Sequence, residues 1–156
     1  MFDIVLFNPE KIDLKKLGYE KLYDYSSPHV KQKIIKVKNL AQAVNYKNKE
    51  MLIIIEDHDF DDGAIKLIAE KKKACFLIDL SRIINSKGVG RAVAMSKLRN
   101  FLKLCNKHGA YYTFADFAKD EFELRSSKEL MHISLLLGLN LGQAKFAMKM
   151  LKSYLD

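Results

Sequence analysis

Glu56-Asp57-His58-Asp59 follows the apolar run 51–55 and gathers three carboxylates and an imidazole at the end of what reads as a buried strand. Two of these carboxylates with the imidazole could ligate a divalent metal, which is the chemistry an enzyme reading would have to use. His29, His108 and His132 supply no His-x-His or His-Glu-x-x-His spacing to complete that site. Nucleophilic catalysis has less behind it, because Cys75 and Cys105 lie inside apolar periodic segments and no Gly-x-Ser-x-Gly turn occurs. Both cysteines read as reduced core thiols, which suits a reducing compartment and a cytoplasmic protein.

Binding chemistry has more support. The net charge is +8, and residues 81–156 carry 13 of the basic residues against 6 acidic ones, while the first 80 residues are nearly balanced. All four arginines (Arg82, Arg91, Arg99, Arg125) lie in that second part, and no acidic residue occurs between Asp79 and Asp116. Clustered arginine on one segment is the footprint of a polyanion partner. In Asp79-Leu-Ser-Arg82 through Gly88-Val-Gly-Arg91 a strand gives way to a loop with glycines and then a long helix. Amides at a helix start attract phosphate, and Lys87 and Arg91 add charge and a bidentate donor. Gly88-x-Gly90 is neither a dinucleotide fingerprint nor a P-loop.

Along the same helix Leu98, Phe101, Leu102 and Cys105 form one face, and Arg99, Lys103 and Lys107 follow one another at intervals of four. One face packs and the neighbouring stripe is cationic, although a charge stripe is ordinarily only a solvated helix face. Arg125-Ser-Ser-Lys128 repeats the pattern ahead of another helix, either as a phosphate site or as simple capping beside an incidental arginine. Tyr111, Tyr112, Phe114 and Phe117 could stack on unpaired bases, but aromatics so spaced more often fill a core. The contact surface is therefore expected within residues 81–128.

The elements that position these groups alternate in type. Strands are expected at 2–7, 21–25, 33–38, 51–56, 75–80 and 110–114, and helices at 10–17, 39–47, 61–72, 89–108, 127–137 and 140–155. The runs 51–56 and 74–79 are apolar without alternation, as strands of a parallel sheet covered on both faces by helices must be. Asp61 or Asp62 can cap the third helix, and Ser126 with Glu129 makes a capping box at the start of the fifth. No Pro/Gly/Ser-rich linker divides the chain, so 1–156 is expected to be a single α/β domain. No apolar run has the length of a membrane span, and no basic-then-apolar leader opens the sequence.

Four segments in order then look familiar: Cys75-Phe-Leu-Ile-Asp-Leu-Ser-Arg-Ile-Ile84, Gly90-Arg91 with Ser96-Lys-Leu-Arg-Asn100, the strand before Asp116, and Leu124-Arg-Ser-Ser-Lys-Glu-Leu130. With Met1-Phe-Asp-Ile-Val and Lys16-Leu-Gly-Tyr19 they resemble the protein component 3 family of archaeal ribonuclease P, related to the eukaryotic thirty-kilodalton subunit. The resemblance covers residues 1–25 and 61–140; Ser127 stands where the family often has proline, and 26–60 looks abbreviated.

The family implies a TIM-barrel-like, PHP-like β/α repeat, here shortened to about six units. It implies a non-catalytic subunit of the ribonucleoprotein that removes 5′ leaders from precursor tRNA, with Mg²⁺ and the hydrolysis belonging to the RNA and no cofactor in the protein. The implied partners are the ribonuclease P RNA, a small α/β protein subunit and, indirectly, precursor tRNA. Carried over, Arg82, Arg91, Arg99 and Arg125 are RNA contacts, Lys87 and Lys128 weaker ones, and Lys103 joins them from the helix stripe. Two alternatives remain: a metal-dependent phosphoesterase, implied by the likeness of the family's barrel to that of polymerase-and-histidinol-phosphatase enzymes and needing Glu56, His58 and Asp79 as ligands, and a basic module that binds an acidic protein.

Overall fold

The computed structural model describes residues 1–156. Six strands form: β1 (Phe2–Val5), β2 (Lys21–Asp24), β3 (Ile34–Val37), β4 (Leu52–Ile55), β5 (Cys75–Asp79) and β6 (Tyr111–Ala115). The helices are α1 (Leu14–Leu17), α2 (Pro28–Lys31), α3 (Leu40–Ala43), α4 (Asp62–Lys71), α5 (Ser81–Ile84), α6 (Gly88–His108), α7 (Ser127–Leu136) and α8 (Leu141–Leu155). Every expected strand is present, the first five trimmed by a residue or two and the sixth shifted by one residue. The expected helix 10–17 is a 3₁₀ turn followed by α1, 39–47 is the short α3 with a 3₁₀ turn, and α2 and α5 were not foreseen.

All pairings are parallel, in two hydrogen-bonded sheets: β1 with β2, and β3-β4-β5-β6. The parallel sheet covered by helices that the sequence implies is present, divided between two hydrogen-bonded ladders. They meet where the chain leaves β6: the Phe117 amide donates to the Ile4 carbonyl at 3.0 Å and the Leu6 amide to the Ala118 carbonyl at 2.8 Å. The order therefore runs β2-β1-β6-β5-β4-β3, cyclic as in a barrel but with β2 and β3 not paired to each other. A closed hydrogen-bonded ring, as a full TIM barrel requires, is not formed.

Burial follows the two-residue period of the strands. Phe2, Ile4, Tyr23, Ile34, Leu52, Ile54, Cys75, Leu77 and Ala115 share one inner cluster, to which every strand contributes. Their neighbours Val5, Leu22, Val37, Ile53, Ile55, Phe76, Ile78 and Phe114 pack outward against the helices. Both cysteines are free and buried, as expected.

Helix α8 bridges the two clusters, with Ala144, Ala147 and Met148 in the outer one and Leu151, Tyr154 and Leu155 in the inner. Its end ties down the strand bases: Asp156 accepts from Lys21 and Tyr23, each at 2.7 Å, and Tyr154 donates to the Lys73 carbonyl at 2.6 Å. No helix is long and apolar enough to cross a membrane.

Helix starts behave as their residues dictate. Asp61 caps α4 through the Ala64 amide at 2.9 Å, while Asp62 instead pairs with His108 at 2.6 Å and Lys107 at 3.3 Å. The box at α7 closes reciprocally, with the Ser126 amide donating to Glu129 at 2.7 Å and the Glu129 amide to Ser126 Oγ at 3.3 Å. Gly18 caps α1 at φ +78°, and a Cβ added there would run into Ser127 Oγ at the first turn of α7. Gly18→Ala should therefore lower stability by about 1–3 kcal/mol in urea denaturation, combining left-handed strain with overpacking. Gly138→Ala, at φ +91° but facing open space, should cost only the strain.

Candidate nucleic-acid interface

All seven basic residues named from the sequence are exposed: Arg82, Lys87, Arg91, Arg99, Lys103, Arg125 and Lys128. The fold distributes them over three depressions around α6. Arg91 and Arg125 meet in a groove of about 430 Å³ between the start of α6 and α7, above Ile83, Ile84, Met95, Ile133 and Leu136. Arg82 lies on the other flank of α6, in a cleft of about 270 Å³ that also takes in Glu56, Asp57, His58, Asp79 and Lys97. Arg99 and Lys103 border a shallow groove of about 450 Å³ beside the α7–α8 turn. Lys87 and Lys128 line none of these.

Three guanidinium groups are steadied by backbone carbonyls, which leaves most of their donors free. Arg91 donates to Ile84 O at 3.1 Å, Arg99 to Leu136 O at 2.9 Å and Arg82 to Ile55 O at 3.4 Å. Arg125 stands 4.0 Å from Glu129, an exposed pair worth little. The first turn of α6 holds no acid and has no side-chain cap at Lys87. Lys107, third in the cationic stripe, is engaged by Asp62, so the stripe offers Arg99 and Lys103. Loss of one phosphate contact with Arg99→Ala should reduce the salt dependence of RNA binding by about one unit of slope.

The position of Arg125 rests on a buried polar chain that the sequence reading missed. Asp3 is fully buried, and its Oδ1 accepts from the Ile4 and Asp116 amides, both at 2.8 Å. Asp116 in turn accepts from the Arg125 amide at 3.0 Å. The Tyr19 hydroxyl donates to the Arg125 carbonyl at 2.7 Å and lies 3.4 Å from Asp3 Oδ2. Both backbone groups of Arg125 are thereby fixed. Burial pushes the Asp3 carboxyl up to about 8, against the opposing pull of the two amides, and burial raises Asp116 as well. The available signal was Asp3 itself, an acid inside the run Phe2–Val5.

Other expectations need correction. Glu56, His58 and Asp79 line one cleft, but no three His, Cys, Asp or Glu side chains anywhere are spaced to hold a metal ion. Asp59 turns away and accepts from the Leu40 amide at 3.3 Å. Burial, helped by the positive charge of Arg82, pushes His58 down to about 4, so its imidazole is neutral at pH 7. Tyr112, Phe114 and Phe117 are core residues, and half-buried Tyr111 packs beside Phe146, so these aromatics are not a stacking platform.

No family model matches the chain. The ribonuclease P protein component 3 of Archaeoglobus fulgidus is 25% identical over 116 residues, which is 74% of this chain and 58% of that protein. The chain thus spans little more than half the length of the curated relative it matches. In the cryo-EM structure of archaeal ribonuclease P with mature tRNA, one chain superposes with a TM-score of 0.68 at 17% identity, over 100% of this chain and 79% of that one. The family resemblance read from the residues is borne out: this chain is similar in sequence to ribonuclease P protein component 3 and has the fold of a chain in archaeal ribonuclease P.

Proposed function

We propose that this chain is a protein subunit of ribonuclease P, assisting 5′-leader removal from precursor tRNA by binding the RNA subunit through the arginine-bearing flanks of α6 and α7. The observation that carries this reading is the pairing of Arg91 and Arg125 over one groove, in a chain similar to a ribonuclease P protein. Two residues distant in sequence, each chosen for sitting at a helix start, are brought to one place with their guanidinium groups open. Such groups bind phosphate bidentately and leave hydrolysis to the RNA with Mg²⁺. The remaining surface pairs with a small α/β protein subunit.

The decisive assay is precursor-tRNA cleavage by the cognate RNA at low Mg²⁺, with and without this protein and the small subunit. Stimulation that requires both proteins is expected. Absence of stimulation with folded proteins would return the chain to a basic α/β module of another target.

A further inference from the structure

The cleft around Arg82 differs from the rest of the basic surface in having more acids than bases. Glu56, Asp57 and Asp79 face Arg82 and Lys97, and Asp57 already holds Lys97 at 3.3 Å. A phosphate would meet two unpaired carboxylates here, so the site is unsuited to RNA backbone. Its shape is also specific. Gly90, Val93 and Ala94 lie on one face of α6 and bring that wall close with small side chains. Leu98 and Ile83 add apolar lining, and the volume of about 270 Å³ falls below that of drug-sized sites, about 300–1,000 Å³. That is room for a single planar heterocycle.

The polar groups around the slot are held and unspent. One nitrogen of Arg82 is fixed on Ile55 O, which leaves its other donors free. Asp79 uses Oδ1 for the Ser81 amide and hydroxyl, at 3.0 and 2.5 Å, and keeps Oδ2. The Glu56 side chain is exposed at the rim and engages no other residue. His58 packs edge-on against Phe101 at 4.8 Å and is without a hydrogen-bond partner. The slot thus offers carboxylate acceptors, a guanidinium fork and a neutral imidazole around apolar walls.

A neutral ring with two adjacent N–H donors on one edge and two acceptors on another fits this set. Among the four bases only guanine has both, as N1–H with the N2 amine and as O6 with N7; adenine and cytosine offer a lone amine, and uracil a lone N–H. We infer that the cleft receives one unpaired guanine of the bound RNA, its donor edge on Glu56 and Asp79 and its acceptor edge on Arg82. This rests on the RNA-binding reading and deepens it: the Arg91–Arg125 groove holds backbone, and the Arg82 cleft reads a base.

The test measures binding of the full chain to a short oligouridine carrying one central guanosine, and to the same oligomer with inosine, adenosine or uridine there. Guanosine should bind about tenfold tighter than uridine, and inosine, which lacks only the N2 amine, should lose most of that gain. Glu56→Gln and Arg82→Lys should each abolish the preference, and Glu56→Gln, at an exposed position outside the basic surface, should do so while keeping the weak affinity for oligouridine and leaving thermal unfolding unchanged. Equal affinity for all four oligomers, or a guanosine preference surviving both variants, would overturn this inference and leave the RNA-binding reading standing. Failure to bind any RNA, including the ribonuclease P RNA, would overturn both.

Discussion

Arg91→Ala combined with Arg125→Ala should weaken binding to ribonuclease P RNA by about 100-fold or more, with no change in thermal stability. Each charge-assisted contact contributes about 1.5–3 kcal/mol, so each single variant should lose at least tenfold. The effect should be large because the Arg91 guanidinium is already held and the backbone that carries Arg125 is already fixed before binding. Arg91 is held on Ile84 O, and the Arg125 backbone is fixed by Asp116 and Tyr19. Both side chains are exposed, which is why unfolding should not move. The salt slope should fall by about two units, one per lost phosphate contact, in a titration from low to physiological salt. Lys87→Ala and Lys128→Ala, outside the grooves, should each lose far less. Unchanged affinity in the double variant would remove the groove from the RNA surface.

What the sequence revealed and what it withheld divides along a physical line. Strands 51–56 and 74–79 were legible because a strand buried on both faces must be apolar without alternation, and both faces are indeed occupied, Leu52 and Ile54 inward and Ile53 and Ile55 outward. The capping box at Ser126 was legible because its bonds are local. The unpaired edges of β2 and β3 were not, because strand partners are chosen by the whole packing and no residue in either strand announces the break. Arginine exposure could be read from charge clustering, but the meeting of Arg91 with Arg125, and the separation of Arg82 across α6, depend on how α7 docks. The short α2 and α5 are single turns, too brief for a 3.6-residue period to show.

Asp3 was the least legible feature, and it leads to the second large expected effect. Its carboxyl titrates near 8 in the folded chain against about 4 when unfolded. A group raised on folding contributes stability that is fully present below the unfolded value and lost as pH rises through the folded one. His58 acts in the opposite sense, since its depressed value favours the folded state as pH rises from about 4 to about 6.5. Above pH 6.5 that contribution is nearly constant, so the interval from 6.5 to 8 isolates Asp3.

Stability by urea denaturation should fall by about 1–2 kcal/mol across that interval, at up to about 1.4 kcal/mol per pH unit. Asp3→Asn should flatten the dependence and leave the variant more stable than the parent at pH 8. Its Oδ1 still accepts from the Ile4 and Asp116 amides, and its Nδ2 can donate toward Tyr19, whose own proton goes to the Arg125 carbonyl. Asp3→Ala should instead destabilise at every pH, because two buried amides lose their acceptor at about 1–3 kcal/mol each. A parent protein equally stable at pH 6.5 and 8 would mean that Asp3 is ionised in the folded state, with a charged carboxylate at the base of the chain that holds Arg125.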